Sequence, residues 1–158
     1  MDSKKYKDQV FKIIGAAMAV HRNLGEGLLE PIYNEALVME LDDRGIKGDS
    51  EKYLPCYYKK RLMQKSYRMD IVVDDIILEL KSVQKLVPAH RAQLFNYLRL
   101  TRKPIGLLIN LVQNLYKASV MHITRTPTPA ICLTETWSLY LQKKRARMTS
   151  GMMTRMQI

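Results

Sequence analysis

The sequence predicts an α/β domain whose elements follow the order α-α-β-β-β-α-β-β. Two observations carry this prediction. Apolar residues recur at helical spacing in the first part of the chain, and runs rich in β-branched and aromatic residues follow from about Tyr53. The chain has 158 residues, of which 47% are hydrophobic, and this suits one globular domain. We place that domain at residues 1–125, because a Thr-Pro-Thr-Pro segment follows it.

Two helices are predicted at the start of the chain. The first covers residues 4–23, where apolar positions repeat every three or four residues and Gly25 follows as a stop signal. The second covers residues 29–44, with Pro31 in its first turn. Gly45 can adopt the left-handed conformation that ends a helix, so we expect the second helix to stop there.

Five strands and a third helix are predicted farther along the chain. The strand-like runs are 53–58, 66–73, 76–83, 105–111 and 119–124. Pro88 opens the third helix, which is expected over residues 89–100. No internal repeat is visible, so these elements should build a single core.

Residues 126–158 form a basic C-terminal extension. Residues 126–133 are typical of a linker, residues 134–148 could form a short helix that carries Trp137, and the Met-rich end is expected to be disordered. The basic run at 143–147 could bind phosphates or keep the helix in solution. The extension could also serve a protein partner or self-association.

Charge and composition restrict the classes of function. The 26 Lys and Arg against 15 Asp and Glu give a formal charge of +11, and both parts of the chain are basic. This excess favours a polyanionic partner, although an ordinary basic surface would explain it equally well. The chain has no apolar run long enough to span a membrane and no signal peptide, so we expect a cytoplasmic protein. Cys56 and Cys132 are too few for a disulfide framework or a zinc site.

The segment 68–81 predicts a β-hairpin with two aspartates at its turn. In that register Ile71 faces Leu78, and Asp70 faces Glu79. One face of the hairpin would hold Met69, Ile71, Val73, Ile76, Leu78 and Leu80, which are all apolar. A shift of one residue would bury charged side chains, so the register is well specified.

The same register places two carboxylates across from each other, with Cβ atoms about 4.5 to 5.5 Å apart, where like charges repel. One explanation is a ladder of ion pairs in which Arg68 and Lys81 neutralise Asp70 and Glu79. The other is a divalent cation such as Mg²⁺ held by both carboxylates. Lys81 could then position a water molecule or neutralise charge on a phosphate. The pattern alone leaves both explanations open.

Asp70 followed by Glu79-Leu80-Lys81, across two strands and in this order of elements, resembles the PD-(D/E)XK nuclease superfamily. The segment 27–33, GLLEPIY, matches the signature of the branch called GxxExxY proteins. Further agreement is found in VHRNLGEGLLE, YRMDIVV, ILELKSV, HRAQLFNYLRLT and GLLIN, so the likeness spans roughly residues 8 to 125. Two positions depart from the pattern: Met69 stands in place of the first proline, and Gln84 stands where an acid is common.

The resemblance implies a restriction-endonuclease-like core, with a mixed sheet flanked by helices, and a Mg²⁺-dependent nuclease that could also use Mn²⁺. The catalytic residues that it implies are Glu30, Asp70, Glu79, Lys81, Gln93 and Tyr97. Among these, Asp70, Glu79 and Glu30 would bind the metal, and Lys81 would serve the attacking water. Gln93 and Tyr97 would be the QxxxY element of the third helix. The implied substrate is nucleic acid, most simply DNA.

Basic side chains near these elements are candidates for contact with a nucleic-acid backbone. They are Arg68, Arg91, Arg99, Arg102 and Lys103. Three functions remain open from the sequence: a metal-dependent phosphodiesterase, a binding module for nucleic acid or protein that keeps the fold without turnover, and a small interaction protein whose acidic hairpin is only an ion-pair ladder.

Overall fold

The computed structural model describes residues 3–112 and 120–124, with side chains from residue 6 to residue 112. The described elements are α1 (Ser3–Leu24), α2 (Glu30–Asp43), β1 (Asp49–Tyr58), β2 (Arg61–Val73), β3 (Ile76–Lys81), α3 (Pro88–Thr101), β4 (Ile105–Asn110) and β5 (Val120–Thr124). This is the predicted order, which confirms the element types along the described part of the chain.

The strands form one mixed sheet in the order β1-β2-β3-β4-β5. Neighbouring strands are antiparallel except β3 and β4, which are parallel and are connected through α3. A parallel pair needs a crossover connection, and α3 provides it. Helices pack on both faces of this sheet, so the predicted mixed sheet flanked by helices is confirmed.

Two hydrophobic clusters hold the helices against the sheet. The larger one joins α1 and α2 to one face and includes Ile13, Leu37 and Leu78. The smaller one joins α3 to the opposite face and includes Leu94 and Leu108. Because the two faces of β3 and β4 are both covered, both strands are buried along their whole length.

The hairpin register between β2 and β3 is the predicted one near the turn. Val73 faces Ile76, and Ile71 faces Leu78. The regular pairing ends at Ile71 and Leu78, and beyond it the Asp70 carboxylate accepts a hydrogen bond from the backbone nitrogen of Leu80 at 2.7 Å. Asp70 therefore joins the two strands through its side chain.

The predicted alternation is wrong at Met69. This residue packs with Val72 in the cluster beside α3, although its predicted neighbour Ile71 lies in the cluster beside α1 and α2. Glu51 lies on β1 between the partners of Met69 and Ile71, and its φ of 50° is left-handed. We attribute the change of face to this local distortion of the ladder.

Element ends follow from glycine and from side-chain contacts. Gly45 has a φ of 68°, as predicted for the end of α2. The strand β3 ends at Lys81 rather than residue 83, because the backbone of Val83 bonds to the side chain of Asn110 instead of to the backbone of β4. Strands β1 and β2 begin earlier than predicted, at Asp49 and Arg61. The additional residues are exposed and lack the apolar alternation from which a strand is predicted.

The predicted linker at 126–133, the helix at 134–148 and the end of the chain lie outside the described residues. Among the helices that the structure does describe, none combines the length and hydropathy needed to cross a membrane.

Candidate active site

Acidic and basic side chains converge where β3 ends and α2 begins. The hydroxyl of Ser82, just after β3, donates to the carbonyl of Leu28 at 2.6 Å, and the backbone nitrogen of Ser82 donates to Glu30 at 3.2 Å. These two bonds bring the start of α2 to the end of β3. Glu30 thus lies beside the strand that carries Glu79 and Lys81.

Glu79 is the most buried charged residue of this group, with 0% of its surface exposed. Its Oε1 accepts a hydrogen bond from the Lys81 amine at 2.6 Å. Its Oε2 is buried and has no hydrogen-bond partner among the described residues. Burial, followed by the charge of Asp70, raises the pKa of Glu79 to about 7, against the opposing effect of Lys81.

Asp70 is partly buried beside Glu79. Burial raises the pKa of this carboxyl, and the charge of Glu30 acts in the same direction. The Leu80 backbone hydrogen bond and the charge of Lys81 oppose that shift without reversing it. Asp70 and Glu79 therefore form a pair of neighbouring carboxylates that both favour the protonated state more than carboxylates in water do.

Lys81 connects the carboxylates of two elements. Its Nζ lies 2.6 Å from Glu79 Oε1 and 3.9 Å from Glu30 Oε2, and its side chain is 11% exposed. Burial alone would lower the pKa of Lys81, but the hydrogen bond to Glu79 and the surrounding carboxylate charges outweigh burial and raise it. The amine is thus held as an ammonium at the centre of the acidic group.

The α3 residues of the predicted QxxxY element are in contact. Gln93 donates to the hydroxyl of Tyr97 at 2.9 Å, and that hydroxyl donates to the carbonyl of Arg68 at 3.3 Å. Burial and the charges of Glu79 and Asp70 raise the pKa of Tyr97. Tyr97 therefore contacts β2 two residues before the Asp70 carboxylate, and Gln93 contacts β2 only through the hydroxyl of Tyr97.

The site presents oxygen atoms of the kind that a divalent cation prefers. Asp70 and Glu79 offer hard oxygen ligands, and the unpartnered Oε2 of Glu79 is an acceptor that a cation would satisfy. These two carboxylates fit a metal ion. Within the described residues no group of three or more His, Cys, Asp or Glu side chains is arranged to hold a metal. Glu30, which bonds to Ser82, therefore stays a prediction as a direct third ligand.

The predicted nucleic-acid contacts are spread over the domain. Arg68 lies two residues before Asp70 and forms an ion pair with Glu51 at 3.3 Å. Arg91 is exposed near the start of α3, at the same end of the sheet as Lys81, whereas Arg99 and Arg102 lie at the far end of α3. Lys103 donates to the carbonyl of Asp74 at the hairpin turn. Only Arg68 and Arg91 therefore lie at the end of the sheet that carries the site.

Asn110 supports the site and is absent from the sequence-based predictions. It is 1% exposed, and its side chain forms two hydrogen bonds with the backbone of Val83, at 2.7 Å and 3.1 Å. Asn110 faces Lys81 across the parallel strands. An amide at the end of the apolar run GLLIN is a signal that could have identified it, because a buried polar group needs partners.

The family model described as the PD-(D/E)XK nuclease superfamily matches residues 7–123, well over half of the chain, and this range includes every candidate catalytic residue. No curated protein and no solved structure matches the chain significantly. The matching model describes the superfamily rather than the GxxExxY branch, so assignment to that branch stays a prediction.

Proposed function

Because the chain belongs to the PD-(D/E)XK nuclease superfamily, we propose that it is a divalent-metal-dependent nuclease that hydrolyses phosphodiester bonds in DNA. One observation carries the proposal beyond the family assignment. The buried carboxylate of Glu79, beside Asp70, uses one oxygen to bind Lys81 and has no described partner for the other. A half-satisfied buried carboxylate is costly for a purely structural role.

Asp70 and Glu79 would hold the cation, and Mg²⁺ is the ion we propose, with Mn²⁺ as a substitute. When bound, such a cation supplies Lewis acidity toward a phosphate oxygen and lowers the pKa of a coordinated water. The oxygen-only ligands favour these ions over zinc, which prefers nitrogen and sulfur. Glu30 would complete the acidic surroundings from α2.

Lys81 would act on the substrate through its ammonium group. Glu79 and Glu30 hold the amine at the end of β3, with its side chain still slightly exposed. From there Nζ can donate a hydrogen bond to the attacking water or to an oxygen of the phosphate. A bond to the phosphate would stabilise the negative charge that develops on its oxygens as water attacks phosphorus, whereas a bond to the water would fix its position, so the amine would favour the transition state.

The substrate class follows from charge. The chain carries a formal charge of +11, and Arg68 and Arg91 lie at the end of the sheet that holds Lys81. Such groups neutralise phosphates along a nucleic-acid strand without selecting a sequence. Phosphate contacts of this kind would hold a nucleic-acid strand with one phosphodiester bond beside the cation that Asp70 and Glu79 would bind.

Metal titration and a nuclease assay test the proposal together. We expect calorimetry to detect Mg²⁺ or Mn²⁺ binding, and we expect DNA cleavage that requires the ion. Asp70→Asn and Glu79→Gln should each reduce cleavage by about a hundredfold or more, because each removes a charged oxygen ligand. Glu35→Gln is a matched control, since Glu35 is an exposed carboxylate on α2.

The outcomes separate the competing functions. Cleavage that survives both Asp70→Asn and Glu79→Gln would contradict the proposal. Salt-sensitive DNA binding without metal-dependent cleavage would instead support a binding module that retains the fold.

A further inference from the structure

The hairpin formed by β1 and β2 extends beyond the core and exposes large side chains. We define residues 52–68 as the β1–β2 arm. Its exposed apolar and aromatic residues are Tyr53, Tyr57, Tyr58, Leu62, Met63 and Tyr67, with exposed fractions from 42% to 70%. Clustered exposure of this kind marks an interaction surface more often than a solvated one.

The charge of the arm is uniformly positive. Residues 52–68 contain six Lys and Arg residues and no Asp or Glu. The tip of the arm is formed by Lys59 and Lys60, both of which have a left-handed φ, and Lys59 lies over the ring of Tyr58 at 5.5 Å. Within the described residues, Lys60, Arg61 and Lys65 form no ion pair with an acidic side chain. The arm therefore presents aromatic rings between cations that are free to bind phosphates.

The arm is continuous with the candidate active site. Tyr67 lies edge-on to Tyr97, with ring centroids 5.5 Å apart. Arg68 follows Tyr67 and precedes Asp70 by two residues, and it accepts the Tyr97 hydrogen bond through its carbonyl. A strand that lies along the arm would thus reach the carboxylates without crossing the core.

Pairing with a second protein strand is disfavoured on this arm. The outer strand β1 is the edge of the described sheet, but Pro55 lacks a backbone donor and the ladder is irregular between Pro55 and Tyr57. Both features are typical of edges that resist strand addition. The aromatic rings, rather than the backbone edge, remain as the binding elements.

We propose that the β1–β2 arm binds a single strand of nucleic acid, with its tyrosines stacking on unpaired bases and its Lys and Arg contacting the phosphates. This inference rests on the proposed nuclease function and adds that the substrate is single-stranded at the site. Duplex bases already stack on each other and cannot offer their faces to tyrosine rings, whereas unpaired bases can.

The inference is tested by binding to a fluorescein-labelled, single-stranded DNA oligonucleotide of about 20 nucleotides. Fluorescence anisotropy measures the affinity, and EDTA removes divalent cations so that the DNA is not cleaved. The full chain should bind this strand more tightly than the same sequence as a duplex. Tyr57→Ala combined with Tyr58→Ala should weaken binding by roughly fivefold or more. Tyr57→Phe with Tyr58→Phe should retain it within about twofold, because phenyl rings still stack.

Met39→Ala is the matched control, since Met39 is an exposed apolar residue on α2, outside the arm. Unchanged affinity in the double alanine variant, or equal affinity for the duplex, would overturn the inference even if the protein cleaves DNA. A change in oligomeric mass in the double alanine variant, measured by light scattering, would assign the surface to self-association and would also overturn it. Binding through the arm without any cleavage would support the arm as a binding surface for single strands and would contradict the nuclease proposal.

Discussion

The ammonium of Lys81 donates to one oxygen of Glu79 at 2.6 Å, while the other oxygen of that carboxylate is buried without a partner among the described side chains. A buried ion pair is favourable only when the remaining hydrogen-bonding capacity is also satisfied. In Glu79, one of the two carboxylate oxygens has no described partner. The arrangement is therefore better explained by binding chemistry than by a contribution to folding.

We expect the metal-free protein to lose stability as the pH rises from about 4.5 to about 7. The pKa of Glu79 is raised from 4.5 to about 7 in the folded state. In that window the folded protein keeps a proton that the unfolded chain releases, so the free energy of unfolding falls as the pH rises. The difference corresponds to about 3 kcal/mol at most. Urea denaturation at several pH values measures it.

Glu79→Gln is the control for this pH dependence. The amide does not titrate, so the variant should lose less stability than wild type across the same window. The raised pKa of Asp70 acts in the same direction, and Lys81 titrates only above its ordinary value of 10.5. Wild-type stability that stays constant or increases from pH 4.5 to 7 would show that Glu79 has an ordinary pKa.

Metal affinity should increase with pH until about 7. A cation at Asp70 and Glu79 must displace the proton that burial favours on Glu79, so binding releases a proton. Below pH 7 the dissociation constant for Mn²⁺ should fall about tenfold for each unit of pH, and above it the curve should flatten. Calorimetry in two buffers of different ionisation enthalpy counts the released protons. An affinity independent of pH would place the ion away from Glu79.

Much of the fold could be predicted because hydrophobic periodicity and turn residues agree with the final packing. The register that pairs Ile71 with Leu78 followed from polarity alone, and the end of α2 at Gly45 followed from glycine's left-handed conformation. These features depend on residues close in sequence. Local patterns are sufficient for them.

Other features depend on contacts between distant segments and could not be predicted. The alternation fails at Met69 because Glu51, on another strand, adopts a left-handed conformation. The bonds from Asn110 to Val83 exist only after β4 has paired with β3. The strand residues that the prediction missed, 49–52 in β1 and 61–65 in β2, are all exposed and carry no periodic apolar signal.

Lys81→Met should separate metal binding from cleavage. The change removes the ammonium that we place beside the attacking water, and we expect cleavage to fall by about a hundredfold or more. Asp70 and Glu79 remain, so Mn²⁺ should still bind in a calorimetric titration. Lys85→Met is the matched control, because Lys85 is an exposed lysine four residues farther along the chain. Equal loss of metal binding and cleavage would indicate that Lys81 only maintains the site.

Gly106→Ala should destabilise the packing of α3 on β4, the strand that pairs with the one carrying Glu79. A Cβ at this position would lie 2.8 to 2.9 Å from three side-chain atoms of Leu94, which is fully buried. Such overpacking costs about 1 to 3 kcal/mol, measured by urea denaturation. Leu94→Ala removes the clashing atoms, so Gly106→Ala should cost much less in that background. Equal costs in both backgrounds would show that the clash with Leu94 is not the cause.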